Sequence, residues 1–227
     1  MKKFLTVGII SLVLTFSCKE DKKIEIKETQ TIETKMSIPE QIADANGFTN
    51  WDKINTIKFT FNVDRGSSHF ERTWSWAPKT NAVIFTTRED TVSYNRKSID
   101  SILAKIDAGF INDKFWLLAP YQLVWDQDSY TFEHTPLTIA PMSKESMQKL
   151  TIIYHQEGGY TPGDAYDFFF SDDFIIKEWA FRKGNQEVPK MVTSWEGYQD
   201  YKGLHMATMH KRNDEDFKLY FTSIEVN

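Results

Sequence analysis

Ile57, Phe59, Phe61 and Val63 alternate with Thr56, Lys58, Thr60 and Asn62, and this strict period of two constrains the fold more than any other feature. Such alternation predicts a strand with one face in the core and one in water. Asp64-Arg65-Gly66-Ser67 turns the chain, and Phe70, Arg72, Trp74 and Trp76 make the next apolar face. Pro78-Lys79-Thr80-Asn81 turns again into a strand over 82–88, and Glu89-Asp90 leads into another over 91–95. Strands joined by such short turns are antiparallel hairpins. Later strands are expected over 130–134, 150–155, 166–170, 174–182, 190–198, 204–211 and 217–226, separated by turns such as Ser171-Asp172-Asp173 and Lys183-Gly184-Asn185. The count is about eleven strands with two helical insertions and no βαβ alternation. That predicts a mainly β (α+β) chain with one antiparallel, highly curved sheet rather than two domains.

The helical segments carry their own signals. Ser37-Ile38-Pro39-Glu40 has capping-box spacing with proline in the first turn, so a short helix runs to Ala45 and Gly47 suits its stop. Ile99, Ile102, Leu103 and Ile106 have the i, i+3, i+4, i+7 spacing of one helix stripe, with Ser98 as its cap. The following segment, from Phe115-Trp116-Leu117-Leu118 through Pro120 and Tyr121 to Trp125, is apolar nearly all round and is expected to lie buried against the sheet.

The first 17 residues read as a secretion signal: a basic Met1-Lys2-Lys3 start, an uncharged stretch from Phe4 to Phe16 and a small Ser17 before Cys18. The apolar stretch is shorter than the ~20 residues a transmembrane helix needs. Leu14-Thr15-Phe16-Ser17-Cys18 resembles the lipobox of bacterial lipoproteins, although Phe16 is bulky for its place and Leu14 lies one position upstream. The resemblance implies that Cys18 carries the lipid anchor. Cys18 is the one cysteine of the chain, so no internal disulfide competes for it. Residues 19–35 are charged and lack glycine, proline and aromatics, which reads as a solvated tether reaching about 60 Å at full stretch. Within it Lys19-Glu20-Asp21 resembles the export signals of surface lipoproteins. The expected organisation is signal 1–17, lipidated cysteine and tether 18–36, and a folded region 37–227, held at the outer membrane on its periplasmic face or at the cell surface. Loss of Lys2 and Lys3 with the signal takes the net charge from −5 to −7, since 1–17 holds two lysines and no acid. An acidic surface argues against nucleic acid as a partner.

A leading helix, four meandering strands, a helical insertion and a long antiparallel run resemble the LolA/LolB group of lipoprotein carriers. That likeness implies an unclosed β-barrel covered by helices around an apolar cavity. Trp51-Asp52-Lys53-Ile54, His69-Phe70-Glu71-Arg72-Thr73-Trp74, Asp90-Thr91-Val92-Ser93-Tyr94-Asn95 and the segment 157–167 resemble stretches shared by a large family of uncharacterised anchored lipoproteins. The resemblance spans 37–227 and implies a fold, not a site.

With 17 Phe, 9 Tyr and 7 Trp, the chain is rich in aromatics that fall on one face of successive strands. Phe59, Phe61, Trp74, Trp76, Phe85, Trp179 and Phe181, with Phe115 and Trp116 of the helical insertion, are the candidate lining of a cavity for an apolar or lipid-like ligand. The competing expectation is that the same aromatics interlock with Phe115, Trp116 and Leu118 as a filled core. In that case the outer surface meets a protein or glycan partner, through residues such as Trp195, Tyr198 and Tyr201. Glu157, Asp164 and Asp167 offer oxygens to a hard cation, but Thr161-Pro162-Gly163-Asp164 also fits a plain type II turn. His205 and His210, five apart on one expected strand, point to opposite faces, and no HExxH, G-x-S-x-G or P-loop pattern occurs. No cofactor is expected. The reading is a binding protein rather than an enzyme, with a hydrolase built on an unselected carboxylate pair as the remaining catalytic possibility.

Overall fold

The computed structural model describes residues 36–157, 160–213 and 216–227, so Cys18, the signal and the charged tether lie outside the described residues. Helix α1 (Ile38–Ala45) opens on the expected capping box: the Ser37 amide donates to Glu40 Oε2 at 2.7 Å, and the Glu40 amide to Ser37 Oγ at 3.5 Å. A 3₁₀ turn (Phe48–Lys53) leads into β1 (Ile57–Arg65), β2 (Ser68–Ala77), β3 (Ala82–Thr86) and β4 (Thr91–Asn95), the predicted meander. After helix α2 (Ser101–Trp125) come β5 (Tyr130–Ile139), β6 (Ser146–Tyr154), β7 (Ala165–Phe170), β8 (Ile176–Arg182) and β9 (Met191–Ser194). The chain ends with β10 (Gln199–Tyr201), β11 (Leu204–Met206), β12 (Met209–Lys211) and β13 (Phe217–Val226).

These strands form a six-stranded sheet ordered β12-β13-β1-β2-β3-β4, a five-stranded sheet β5-β6-β7-β8-β9 and a β10-β11 ribbon, with antiparallel pairing throughout. Among the described residues thirteen strands stand where about eleven were expected, because one predicted strand is split and β10 falls where none was expected. The segment 190–198 ends as a strand at Ser194, and 204–211 breaks at Ala207–Thr208 into β11 and β12. The two large sheets meet at a bridge between Glu196 and Met209, where the Glu196 amide donates to Met209 O at 2.9 Å. With β4 and β5 at the far ends, the result is a curved, unclosed barrel of the kind the LolA/LolB resemblance implied.

Helix α2 lies across the concave side of both sheets, and its start corrects the sequence reading. Its cap is Asp100, whose Oδ1 accepts from the amides of Ile102 and Leu103 at 2.9 and 2.8 Å, in place of Ser98. Of the expected Ile99, Ile102, Leu103 and Ile106 stripe, Leu103 and Ile106 pack against the core, whereas Ile99 precedes the helix and Ile102 is 72% exposed. Two buried acids further along the helix are paired with arginines. Arg96 donates to Asp107 at 2.9 Å, and Arg72 of β2 donates to Asp113 through two nitrogens at 2.5 and 2.7 Å. Both acids are buried on the face that also packs Leu103, Ile106 and Phe110 against the core, and their pairing offsets the cost of burying a carboxylate. The helix continues through the apolar segment and bends at Leu118 (φ −121°, ψ 20°), two residues before Pro120. Proline has no N–H for the Trp116 carbonyl and its ring crowds that carbonyl, which accounts for the kink. Trp74, Phe59, Phe110, Tyr121 and Phe168 are fully buried in one apolar cluster drawn from α2 and both sheets.

Candidate functional site

The barrel is not filled throughout. A cavity of about 1110 Å³ opens between the two sheets and α2. Phe61 and Trp76 line it from β1 and β2, Tyr154, Tyr166, Trp179 and Phe181 from β6 to β8, and Ile111, Lys114, Phe115, Trp116 and Trp125 from α2. Of the nine aromatics named from the sequence, six reach this space: Phe61, Trp76, Phe115, Trp116, Trp179 and Phe181. Phe59, Trp74 and Phe85 do not. Phe59 and Trp74 are fully buried, and Phe85 lies 4.7 Å from Trp74, centroid to centroid. Container and filled core are therefore both present: the closed-over Phe59 and Trp74 pair across β1 and β2, and Phe61 and Trp76 on either side of that pair reach the space.

The wall is built of aromatics held by each other. Trp116 meets Trp179 edge-on at 4.5 Å, Trp179 stacks on Phe181 at 6.3 Å, and Phe115 contacts Tyr166 at 5.1 Å. At the other end Trp51, from the 3₁₀ turn, contacts Trp125 at 4.5 Å and Trp76 at 5.7 Å. Such pairs fix ring orientation as well as burying area.

Lys114 stands inside this wall, 4% exposed, and sequence reasoning missed it. Its Nζ lies 5.4 Å from the Trp76 ring centroid and 5.0 Å from that of Trp125, and donates to Gln122 Oε1 at 2.6 Å. Burial lowers the amine to about 8, with Arg96 lowering it further and Asp126 and Asp107 opposing. The signal was present in the sequence: Asp113-Lys114 interrupts the run from Phe110 to Tyr121 that is otherwise apolar apart from Asn112. The buried carboxylates are all engaged elsewhere. Asp107 pairs with Arg96, Asp113 with Arg72, Asp167 with Arg182, and Glu178 accepts the Met142 and Ser143 amides at 2.7 Å each.

At the rim, Asp107 collects three donors: Tyr94 Oη at 3.0 Å, Arg96 Nε at 2.9 Å and Tyr160 Oη at 2.6 Å. Burial alone would raise this carboxyl, but the hydrogen bonds from Arg96 and Tyr160 outweigh it and hold it below the ordinary carboxylate value. Tyr160 belongs to the β6–β7 connection and so ties that loop to α2. The loop then makes the expected turn: the Asp164 amide donates to Thr161 O at 3.1 Å, and Gly163 takes φ +73°, as the third position of a type II turn requires.

The suggested cation ligands are not brought together. Glu157 is exposed at the rim, Asp164 Oδ1 accepts from the Gly184 amide at 2.7 Å, and Asp167 accepts from Thr151 and Arg182 at 2.6 and 2.7 Å. Among the described residues no cluster of three acidic, histidine or cysteine side chains is arranged for a metal. Two further expectations need correction. Trp195 is 2% exposed, packed 4.5 Å from His210, and Tyr198 donates to Ile176 O at 2.8 Å, so Trp195, Tyr198 and Tyr201 do not form an exposed aromatic surface. His205 and His210 sit on different strands, β11 and β12, and not on two faces of one. His210 is fully buried behind Trp116, and burial pushes its imidazole down to about 3.

No family model and no curated protein matches the sequence. Among solved structures the chain is similar to a DUF1329 family protein from Desulfovibrio piger, at 10% identity over 85% of this chain and 94% of that one, TM-score 0.45. It is similar to a LolA superfamily protein from Nitrosomonas europaea at 7% identity over 85% and 94% of the two chains, TM-score 0.47. A third likeness is to MucB in complex with MucA(peri), at 12% identity, covering 84% of this chain and 54% of that one, TM-score 0.26. The half-barrel itself rests on the strand pairing and helix packing described above.

Proposed function

We propose that this protein is an exported lipoprotein, anchored through Cys18 at the outer membrane, that binds or transfers an apolar, lipid-like ligand in its half-barrel. One observation carries the reading: a cavity of about 1110 Å³ walled by tryptophan, tyrosine and phenylalanine. Ligand sites of about 300–1,000 Å³ with mostly apolar walls and a few placed polar groups are the usual form of small-molecule binding pockets. A wall of this kind favours binding, and the buried carboxylates are tied to arginines or backbone amides, while Asp126, Asp128 and Glu157 also border the space. The anchor is supported by the signal pattern of residues 1–18 and by the lone cysteine.

The test is to isolate the protein from its own membranes and extract it for lipid mass spectrometry, beside a variant with the cavity filled by Ile111→Trp. Stoichiometric lipid on the natural protein, reduced at least tenfold in a folded Ile111→Trp protein, is the expected result. Equal or absent lipid on both, with natural protein and variant folded, overturns the container. Labelled palmitate incorporated by the natural chain and not by Cys18→Ala checks the anchor separately.

A further inference from the structure

Among the described residues the cavity's carboxylates, Asp126, Asp128 and Glu157, make no ion pair with Lys114, and the buried polar atoms of the cavity wall that lack a partner are the indole N–H groups of Trp76 and Trp179. Lys114 Nζ reaches one neutral acceptor, Gln122 Oε1, and among the described residues no carboxylate forms an ion pair with it. Trp76 Nε1, on one of the two rings Lys114 lies against, is buried without a hydrogen-bond partner, and so is Trp179 Nε1 across the space. A buried cation without a counter-ion is expensive, and a buried N–H without an acceptor adds to the cost. The same helix pairs its other inward charges, Asp107 and Asp113, with arginines. Lys114 is the exception, and it is the one that faces the empty space.

We infer that the occupant of the cavity is an anionic amphiphile, whose negatively charged oxygen headgroup pairs with Lys114 Nζ and the Trp76 indole while its apolar chain lies along Trp116, Trp179 and Phe181. This rests on the container reading and narrows it. A cationic or zwitterion-choline head would meet Lys114 as a like charge. A neutral head would leave the ammonium without a counter-ion. A carboxylate or phosphate oxygen satisfies both, and an aromatic-walled site low in water strengthens the pair. The charged groups acting on Lys114 are Arg96, Asp107 and Asp126, and the first two are already tied to each other.

Binding is measured by tryptophan fluorescence on the full chain carrying Cys18→Ser, with laurate, dodecyl phosphate, dodecanol and dodecyltrimethylammonium below their micelle concentrations. Laurate and dodecyl phosphate are expected to bind at least tenfold tighter than dodecanol, and dodecyltrimethylammonium weakest. Whichever anion is tighter tells a carboxylate from a phosphate source, and either order supports the inference. Lys114→Met should bring both anions to the level of dodecanol without weakening dodecanol, and Lys114→Arg should keep most of the preference. Above pH 8 the laurate advantage should shrink as Lys114 loses its proton. Equal binding of anions and dodecanol by the natural chain, or a preference that survives Lys114→Met, overturns the anionic head while leaving the container. Failure of all four amphiphiles to bind a folded protein overturns both.

Discussion

Trp74 and Trp76 lie two residues apart on the same face of β2, yet one is core and the other is site. Trp74 is fully buried, and its indole donates to Asp113 Oδ2 at 2.7 Å, so every part of the side chain is used by the fold. Trp76 packs against Trp51 and Trp125, faces the cavity, and leaves its indole N–H unspent. The same division runs along α2, where Asp113 is paired and its neighbour Lys114 is not. Side chains used up by the fold and side chains left facing the cavity thus alternate along the same elements.

The sharpest way to break this comparison is to truncate both tryptophans. Trp74→Ala is expected to cost about 4 kcal/mol, since it opens a closed core and removes a donor from a buried carboxylate. Trp76→Ala, beside space already present, should cost less than half of that in urea denaturation. Equal losses would mean the two positions are packed alike.

A gain in stability is expected from the other member of the pair. Lowering the Lys114 amine from 10.5 to about 8 corresponds to roughly 3 kcal/mol, of which the two indoles return about 1. Lys114→Met should therefore stabilise the empty protein by about 2 kcal/mol at pH 7. The amine is protonated in both folded and unfolded chains below about 8, so the penalty is constant there. Between about 8 and 10.5 the unfolded chain binds a proton that the folded one lacks, stability rises with pH, and the advantage of the variant fades. A variant that is less stable than the natural protein at pH 7 would place Lys114 among the structural residues.

A pH-dependent effect concerns His210, which backs Trp116. Its imidazole is neutral when folded, and charges in the unfolded chain below about 6.5. Acid therefore favours unfolding from about pH 6.5 down towards 3, by roughly 1 kcal/mol per unit. Thermal melts of His210→Leu against the natural chain should show a shallower acid slope for the variant. Parallel slopes would show that the histidine takes a proton within the fold.

Much of the architecture was legible because period-two alternation is a local property. Ile57 to Phe61 and Trp74 to Trp76 announce their inward faces without reference to anything distant, although Phe70, expected on the same face, is 49% exposed. The site was legible only in part, because alternation says that Trp74 and Trp76 point inward but not what lies opposite. That depends on how α2 is rolled, and its roll is held in part by Arg72 reaching Asp113 across 41 positions and by Arg96 reaching Asp107. The apolar stripe gave half of the answer: Leu103 and Ile106 pack against the core, while Ile102 stays in water. Lys114 escaped notice for a related reason: a charged residue in a helix is ordinarily read as its wet side.

The junction at Glu196 and Met209 has a consequence for what the protein can accept. In a closed barrel, strand number and stagger fix the bore, and every ladder resists a change in it. Here the two walls are stitched at that bridge on one side and end in β4 and β5 on the other. The bore is then set by side chains from both the strands and α2 and not by a closed ladder. If the proposed anionic amphiphile is the occupant, such a vessel would discriminate firmly at the headgroup beside the buried Lys114 and leniently along the tail.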